Sequence, residues 1–130
     1  MISDQTFLDE DLAALDAHLR GDETIAAFLR LESFDARLTS YVRGEELVLF
    51  PVLERFVDVP RGTTAKMRSE HRRLRRLLDN LWQMLARQDL RGGIDALGEL
   101  RSVLLLHCEK EERVLAPLLR LTTVDEPALD

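Results

Sequence analysis

The sequence HCEKEERVLAP, residues 107–117, contains the pattern from which the fold of this chain can be worked out. Its residues favour an α-helix, and a helix places His107 and Glu111, four residues apart, one above the other on the same face. That spacing suits two ligands of one metal ion. It suits equally a single ion pair between the two side chains.

A near-copy of this stretch, YVRGEELVLFP, occurs at residues 41–51. An offset of 66 positions aligns Tyr41 with His107, Glu45 with Glu111, and Pro51 with Pro117. The repeat indicates that the chain contains one helical hairpin written twice.

The composition favours helix throughout the chain. The 130 residues are enough for one domain with its own core, and they are 45% hydrophobic, 32% charged and only 5% aromatic. Leu, Ala, Arg and Glu dominate, and runs of β-branched residues are few. We therefore expect a single all-α domain over residues 1–130.

Glycine and proline signals divide the chain into four predicted helices. Gly21 ends the first helix, a loop at residues 59–62 follows the second, and Gly92-Gly93 breaks the third from the fourth. The predicted helices cover approximately residues 6–20, 23–57, 64–89 and 94–121. A first hairpin over 6–57 and a second over 64–121 predict an up-down-up-down four-helix bundle.

The second and fourth helices have matching predicted inward faces. The inward residues of the second helix are Leu31, Phe34, Leu38, Tyr41, Glu45, Val48 and Val52. Those of the fourth helix lie 66 positions later and are Leu97, Leu100, Leu104, His107, Glu111, Val114 and Leu118. Pro51 and Pro117 each remove a backbone hydrogen bond, so we expect them to kink or end their helices at matching levels.

Polar residues interrupt these apolar faces at a common level. They are Tyr41, Glu45, His71, His107 and Glu111. The third and fourth helices reverse near residue 91, which places His71 beside His107, and the repeat brings Glu45 to the same level. Buried carboxylates need partners. A metal ion suited to imidazole and carboxylate (iron, zinc or manganese) would supply them, and so would a metal-free layer of ion pairs.

Charge and motif content exclude several function classes. The net charge of −6 argues against nucleic acid as a partner. Residues 1–60 carry −8 and residues 61–130 carry +2, so the halves can attract each other within a monomer or across a homodimer. The sequence has no phosphate loop, dinucleotide fingerprint or nucleophile motif, which favours a binding protein over an enzyme.

The expected location is the cytoplasm. The single cysteine, Cys108, excludes an internal disulfide framework. No apolar run approaches the roughly 20 residues of a membrane span. The N-terminal residues are acidic where a signal peptide would be positively charged, so we expect no membrane partner.

The repeated motif resembles the hemerythrin-like HHE cation-binding domain. The second half carries Glu70-His71 and the full His107-x-x-x-Glu111 pattern followed by Pro117, and the first half carries Glu45-Glu46 and Phe50-Pro51. The resemblance covers nearly the whole chain. It implies a four-helix bundle around a non-heme iron centre, usually of two irons, with Glu45 and Glu111 as bridging carboxylates and His71 and His107 as terminal ligands.

The departures from the family pattern fall on the second iron. Tyr41 stands where the family has a histidine, and it either ligates ferric iron as a phenolate or marks a weakened or lost site. His18 is the candidate for the histidine of the first helix, but it reaches the site only if that helix continues past Gly21. Asp11 is the alternative, and it requires a turn near residue 26.

The resemblance therefore implies a protein that binds one or two non-heme iron ions, or another divalent metal, in an asymmetric or single-metal site. Its expected role is to handle or sense oxygen, nitric oxide or peroxide, or to store and deliver iron. Its expected partners are a metal ion and a small diatomic ligand. The alternative is a metal-free helical module, derived from that family, that mediates interaction or dimerisation without a cofactor.

Overall fold

A computed structural model describes residues 4–56 and 58–123, and within these residues it contains helices and no β-strand. The elements are α1 (Asp4–Arg20), α2 (Thr24–Gly44), a π-helical turn (Glu45–Leu49), α3 (Phe50–Phe56), α4 (Thr63–Ala86) and α5 (Leu90–Thr123). α2, the π-helical turn and α3 form one continuous rod, called here the second bundle helix. The all-α prediction is confirmed. Val57, the predicted last residue of this rod, lies outside the described residues, as do the predicted domain's ends at 1–3 and 124–130.

The helices pack as a four-membered bundle. α1 packs against α2 and α5, and α4 packs against α5 and α2, so α2 and α5 lie on opposite corners, while α3 also contacts α5. Short connections make successive helices antiparallel, as an up-down-up-down bundle requires. The main core consists mostly of leucines from all four helices and also contains the fully buried Phe34. None of the described helices is long and apolar enough to cross a membrane.

The connections lie close to their predicted places, with one correction. Gly21 and Asp22 form the first turn, and Asp22 adopts a left-handed φ of 56°. The prediction that Gly92-Gly93 breaks the helix is wrong, because both glycines lie inside the first turn of α5. The break comes earlier, at residues 87–89, where the Asp89 carboxylate accepts a hydrogen bond from the Gly92 N–H (2.8 Å) and so caps α5.

The inward face of the second bundle helix changes at the π-helical turn. The prediction that Val48 and Val52 point inward is wrong, since their exposed fractions are 63% and 36%. Leu49, Phe50 and Leu53 are buried instead. A π-helical turn takes up one extra residue, which rotates every later side chain relative to an α-helical count.

Proline chemistry explains the position of this turn. Pro51 has no N–H to donate and its ring would collide with the carbonyl four residues earlier, so the wider turn just before it relieves that conflict. The Phe50 N–H bonds to the Glu45 carbonyl across the turn. Neither Pro51 nor Pro117 ends its helix, because α3 continues to Phe56 and α5 to Thr123. A second, smaller core forms beyond the turn from Leu49, Phe50, Leu53, Met67 and Leu115.

Candidate metal centre

Five polar side chains meet between the main core and the smaller one. The second bundle helix contributes Tyr41 and Glu45, α4 contributes His71, and α5 contributes His107 and Glu111. Each has an exposed fraction of 4% or less. The structure thus brings together all five residues that the sequence marked as inward-facing polar positions.

Glu45 lies at the centre of this group. Its Oε1 is 2.8 Å from the His71 Nε2 and 3.8 Å from the His107 Nε2. The two imidazole rings are 4.9 Å apart and meet edge to face at 64°. Potential ligand atoms of Glu45, His71 and His107 all lie within 4.8 Å of one another, and this is the only group of three such residues among the described part of the chain.

Glu111 and Tyr41 complete one side of the centre. The Glu111 Oε2 is 3.4 Å from the His107 Nε2, one helical turn away on α5. The same oxygen accepts a short hydrogen bond from the Tyr41 hydroxyl. Tyr41, at the position of a histidine in the repeat, therefore reaches the centre through Glu111.

Two outer carboxylates orient the histidines. The Glu46 carboxylate is 2.6 Å from the His71 Nδ1, and the Glu70 carboxylate is 2.8 Å from the His107 Nδ1. Lys110 donates a 2.6 Å hydrogen bond to the other Glu70 oxygen. With Nδ1 held by an outer carboxylate, each histidine presents its Nε2 to the centre, which is the arrangement typical of metal-binding histidines.

Sequence reasoning did not assign these outer roles. The available signal was the adjacency of Glu46 to Glu45 and of Glu70 to His71. The contacts run between helices, however. Glu46 of the second bundle helix contacts His71 of α4, and Glu70 of α4 contacts His107 of α5. Such contacts depend on helix rotation and spacing, which adjacency along the chain does not reveal.

The centre is left with unpaired polar atoms. Glu45 Oε2, His107 Nε2 and Glu111 Oε1 are buried and have no hydrogen-bond partner. Unpaired buried carboxylate oxygens are costly, and the cost falls when a cation takes them as ligands. Two imidazole nitrogens and two carboxylates are also a donor set suited to iron, manganese or zinc. The residues present therefore fit a bound metal ion.

The pKa shifts in the centre favour an ionised Glu45 and a protonated, charged His107, and they keep the Tyr41 hydroxyl neutral. Burial opposes ionisation of Glu45, but the neighbouring His107 and His71 imidazoles outweigh it and lower the pKa of Glu45. Burial and the neighbouring Glu45 charge raise the pKa of Glu111. Burial also opposes a charge on His107, but contacts with Glu111, Glu45 and Glu70 raise its pKa to about 10. Burial raises the pKa of Tyr41 far above its ordinary value, so its hydroxyl stays protonated and donates to Glu111.

The first helix contributes neither of its two candidates to this group. α1 ends at Arg20, so His18 lies beside the turn, where its Nδ1 is 3.2 Å from the Glu23 carboxylate. Asp11 is buried, but its carboxylate faces two arginines of α2, Arg30 at 3.3 Å and Arg37 at 3.5 Å. His18 would need a turn past Gly21 and Asp11 a turn near residue 26, but the turn lies between Arg20 and Thr24.

Three surface cavities include a residue of the centre in their lining. One has a volume of about 230 Å³ and is bounded by Phe7, Arg37 and Tyr41. Another has a volume of about 170 Å³ and is bounded by residues that include Glu70, Lys110 and His107. The third has a volume of about 120 Å³ and is bounded in part by His71. The surface cavities therefore lie against Tyr41, His107 and His71.

The geometry defines a helical bundle with a buried histidine and carboxylate centre suited to a cation. Comparison with protein families agrees, because the model of the hemerythrin HHE cation-binding domain matches residues 4–119. The chain belongs to the hemerythrin HHE cation-binding family, which confirms the resemblance inferred from the repeated motif. Searches of curated proteins and of solved structures each returned no significant match.

Proposed function

We propose that this chain is a cytoplasmic iron-binding protein with an asymmetric, single-metal centre held by Glu45, His71, His107 and Glu111. Family membership indicates a metal cofactor, usually iron. The observation that carries the proposal is the set of ligand atoms on Glu45, His71 and His107, all within 4.8 Å of one another. Cys108, a buried free thiol, fits a reducing compartment.

The structure prepares the histidines and the carboxylates for metal binding in different ways. His71 and His107 are already oriented by outer carboxylates, so little rotation is needed before their Nε2 atoms bind an ion. Glu45 and Glu111 each keep one oxygen without a partner. A bound ion would replace the hydrogen bond between His71 and Glu45 and would neutralise the two buried carboxylates.

Asymmetry of the centre supports one metal in preference to two. The second bundle helix offers Tyr41 where the repeat has a histidine, and α1 directs Asp11 toward arginines instead of the centre. Tyr41 serves as the donor that holds Glu111, and it becomes a ligand only where a ferric ion displaces its proton. A phenolate on ferric iron would produce a visible absorption band.

A bound iron ion would supply redox chemistry and open positions for oxygen, nitric oxide or peroxide, or it would be cargo that the protein stores and delivers. The chain's own contribution is burial of the centre, orientation of two imidazoles, and a protonated Tyr41 hydroxyl beside Glu111. The surface cavities at Tyr41, His107 and His71 would be the approaches for small molecules. A binding or sensing role therefore suits the centre.

Metal analysis with an absorption spectrum tests the proposal most directly. Protein purified from iron-supplemented cells should contain about one equivalent of iron, and His107→Ala should contain little. His18→Ala is the matched control, since it removes the one histidine that lies outside the centre, and it should bind iron like the native chain. Less than about a tenth of an equivalent of any transition metal, even after anaerobic reconstitution with ferrous iron, would overturn the proposal.

The second candidate is a metal-free module for interaction or dimerisation. It is favoured by two buried hydrogen bonds, from Tyr41 to Glu111 and between His71 and Glu45, that satisfy part of the polar layer without a metal. In that case His107→Ala should lower the thermal stability of the purified protein equally with and without added iron. A stability increase on adding iron to the native chain, absent in His107→Ala, excludes this candidate.

A further inference from the structure

The outward face of the second bundle helix carries large apolar side chains near its start and again in the π-helical turn. Ile25 and Leu29 near the start and Leu47 in the turn have exposed fractions of 78%, 58% and 67%. These residues belong to one exposed stripe, called here the outer stripe, whose members recur every three or four residues. The outer stripe consists of Ile25, Leu29, Glu32, Ala36, Ser40, Arg43 and Leu47. The stripe faces away from the metal centre, to which the buried face of the same helix contributes Tyr41 and Glu45.

The middle of the outer stripe has small side chains and two charged side chains without ion-pair partners among the described residues. Ala36 and Ser40 are both exposed and small. Glu32 and Arg43 are exposed on either side of Ala36, and neither has an ion-pair partner within residues 4–56 and 58–123. They are about 16 Å apart at 1.5 Å per residue, so they cannot pair with each other within one chain.

The outer stripe is complementary to itself when it is reversed. Its positions are spaced symmetrically about residue 36, so an antiparallel copy pairs Ile25 with Leu47, Leu29 with Arg43, Glu32 with Ser40, and Ala36 with Ala36. Apolar ends then meet apolar ends. Arg43 of one copy, lying over Leu29 of the other, is one helical turn from that copy's Glu32 and can bind it.

We propose that two copies of this chain form a two-fold symmetric dimer through the outer stripe, with the second bundle helices antiparallel and crossing at Ala36. A two-fold interface uses the same patch on both copies, so one Glu32–Arg43 pair forms on each side of the axis. Ala36 and Ser40 allow the helix backbones to approach closely at the crossing. The three large apolar side chains of each copy leave water at the two ends of the contact.

This interface differs from the attraction between the two oppositely charged halves that the sequence suggested. Both of its charged residues come from the first half of the chain, and the pairing depends on their positions on one helix face. The dimer also leaves the metal centre intact, because Glu45, His71 and His107 lie on the inward side of the bundle. Its test is therefore independent of metal content.

Charge exchange at positions 32 and 43 tests the proposed dimer. In analytical ultracentrifugation at about 100 μM, the native chain should sediment at twice its 14.9 kDa mass. Glu32→Arg alone, or Arg43→Glu alone, places like charges at both ends of the contact and should raise the dissociation constant about tenfold or more. Glu99→Arg is the matched control, an exposed α5 glutamate outside the stripe, and should leave the dimer unchanged.

An equimolar mixture of the two single variants gives the decisive result. Each mixed pair has an arginine at position 32 facing a glutamate at position 43, and an original Glu32 facing an original Arg43. The mixture should therefore restore the native dissociation constant that each variant alone has raised, which no contact within one chain can explain. A monomeric native chain, a single variant as dimeric as Glu99→Arg, or a mixture that stays monomeric would each overturn the proposal.

A disulfide at the symmetry axis provides a second measurement. Ala36→Cys places two thiols at the proposed crossing, and mild oxidation should link most of the protein as a dimer. Ser69→Cys, on an exposed position of α4, is the control and should cross-link far less. The native Cys108 is buried and does not compete. Equal cross-linking of the two variants would contradict an axis at Ala36.

Discussion

The Tyr41→Phe substitution tests how the polar layer is held together in the metal-free protein. It removes a single hydroxyl from a side chain that is only 4% exposed. That hydroxyl donates to the Glu111 Oε2, while the Glu111 Oε1 already has no partner. After the substitution, this buried carboxylate keeps its contact with the His107 Nε2, 3.4 Å away.

The expected loss follows from the charge and burial of the acceptor. A hydrogen bond to a charged group contributes about 1.5–3 kcal/mol, so at a pH above the raised pKa of Glu111, where its carboxylate is ionised, we expect the free energy of unfolding to fall by about 2 kcal/mol. Unfolding entropy is about 2.1 cal/mol/K per residue. For 130 residues that loss corresponds to a melting temperature lower by about 7 °C.

Thermal unfolding followed by circular dichroism, with the metal removed by a chelator, measures this loss. Ser102→Ala removes an exposed hydroxyl from α5, outside the centre and the outer stripe, and should change the free energy of unfolding by less than about 0.5 kcal/mol. With iron bound, the difference between Tyr41→Phe and the native chain should shrink, because the metal then holds Glu111. A metal-free Tyr41→Phe protein that melts with the Ser102→Ala control would refute the reasoning.

Three further predictions concern pH, metal binding and the surface of the bundle. The pKa of His107, about 10, exceeds its ordinary value of 6.5, so its stabilisation of the metal-free fold is complete below pH 6.5 and is lost as the pH rises to 10. Urea unfolding should show a loss of up to about 5 kcal/mol over that window, and a constant free energy of unfolding would contradict it. Glu111→Ala should abolish iron binding, so that iron raises the melting temperature of the native chain but not of the variant. Asp35→Ala should cost about 2 kcal/mol and change the tryptophan fluorescence, because the Asp35 carboxylate accepts hydrogen bonds from Arg75 and the Trp82 indole; unchanged emission would count against that contact.

The polar centre shows how far sequence reasoning reaches. The 66-residue repeat and the reversal between the third and fourth helices were enough to bring Glu45, His71, His107 and Glu111 to one level. Those inferences succeed because the residues lie on regular α-helix up to the centre, where a period of 3.6 residues gives the direction of each side chain. The π-helical turn begins at Glu45, so the error starts only after it.

Hydrogen-bond partners around the centre were not predictable in the same way. The sequence left both His18 and Asp11 as possible contributors, and the position of the first turn, at Gly21 and Asp22, excludes them. With that turn Asp11 faces Arg30 and Arg37, and the outer carboxylates Glu46 and Glu70 contact histidines on neighbouring helices. Each outcome depends on how far one helix is rotated or displaced along another, by a few ångströms.

Helical periodicity and turn residues act locally, so they were enough to define the all-α bundle, its hairpin repeat and the level at which the polar residues meet. Packing between the helices decided which face of the second bundle helix is buried beyond Glu45, where Leu49, Phe50 and Leu53 are buried and Val48 and Val52 are exposed. It also decided which carboxylate holds which histidine. The physical reason is that one extra residue in a helical turn, or a small helix rotation, redirects side chains without changing the sequence pattern.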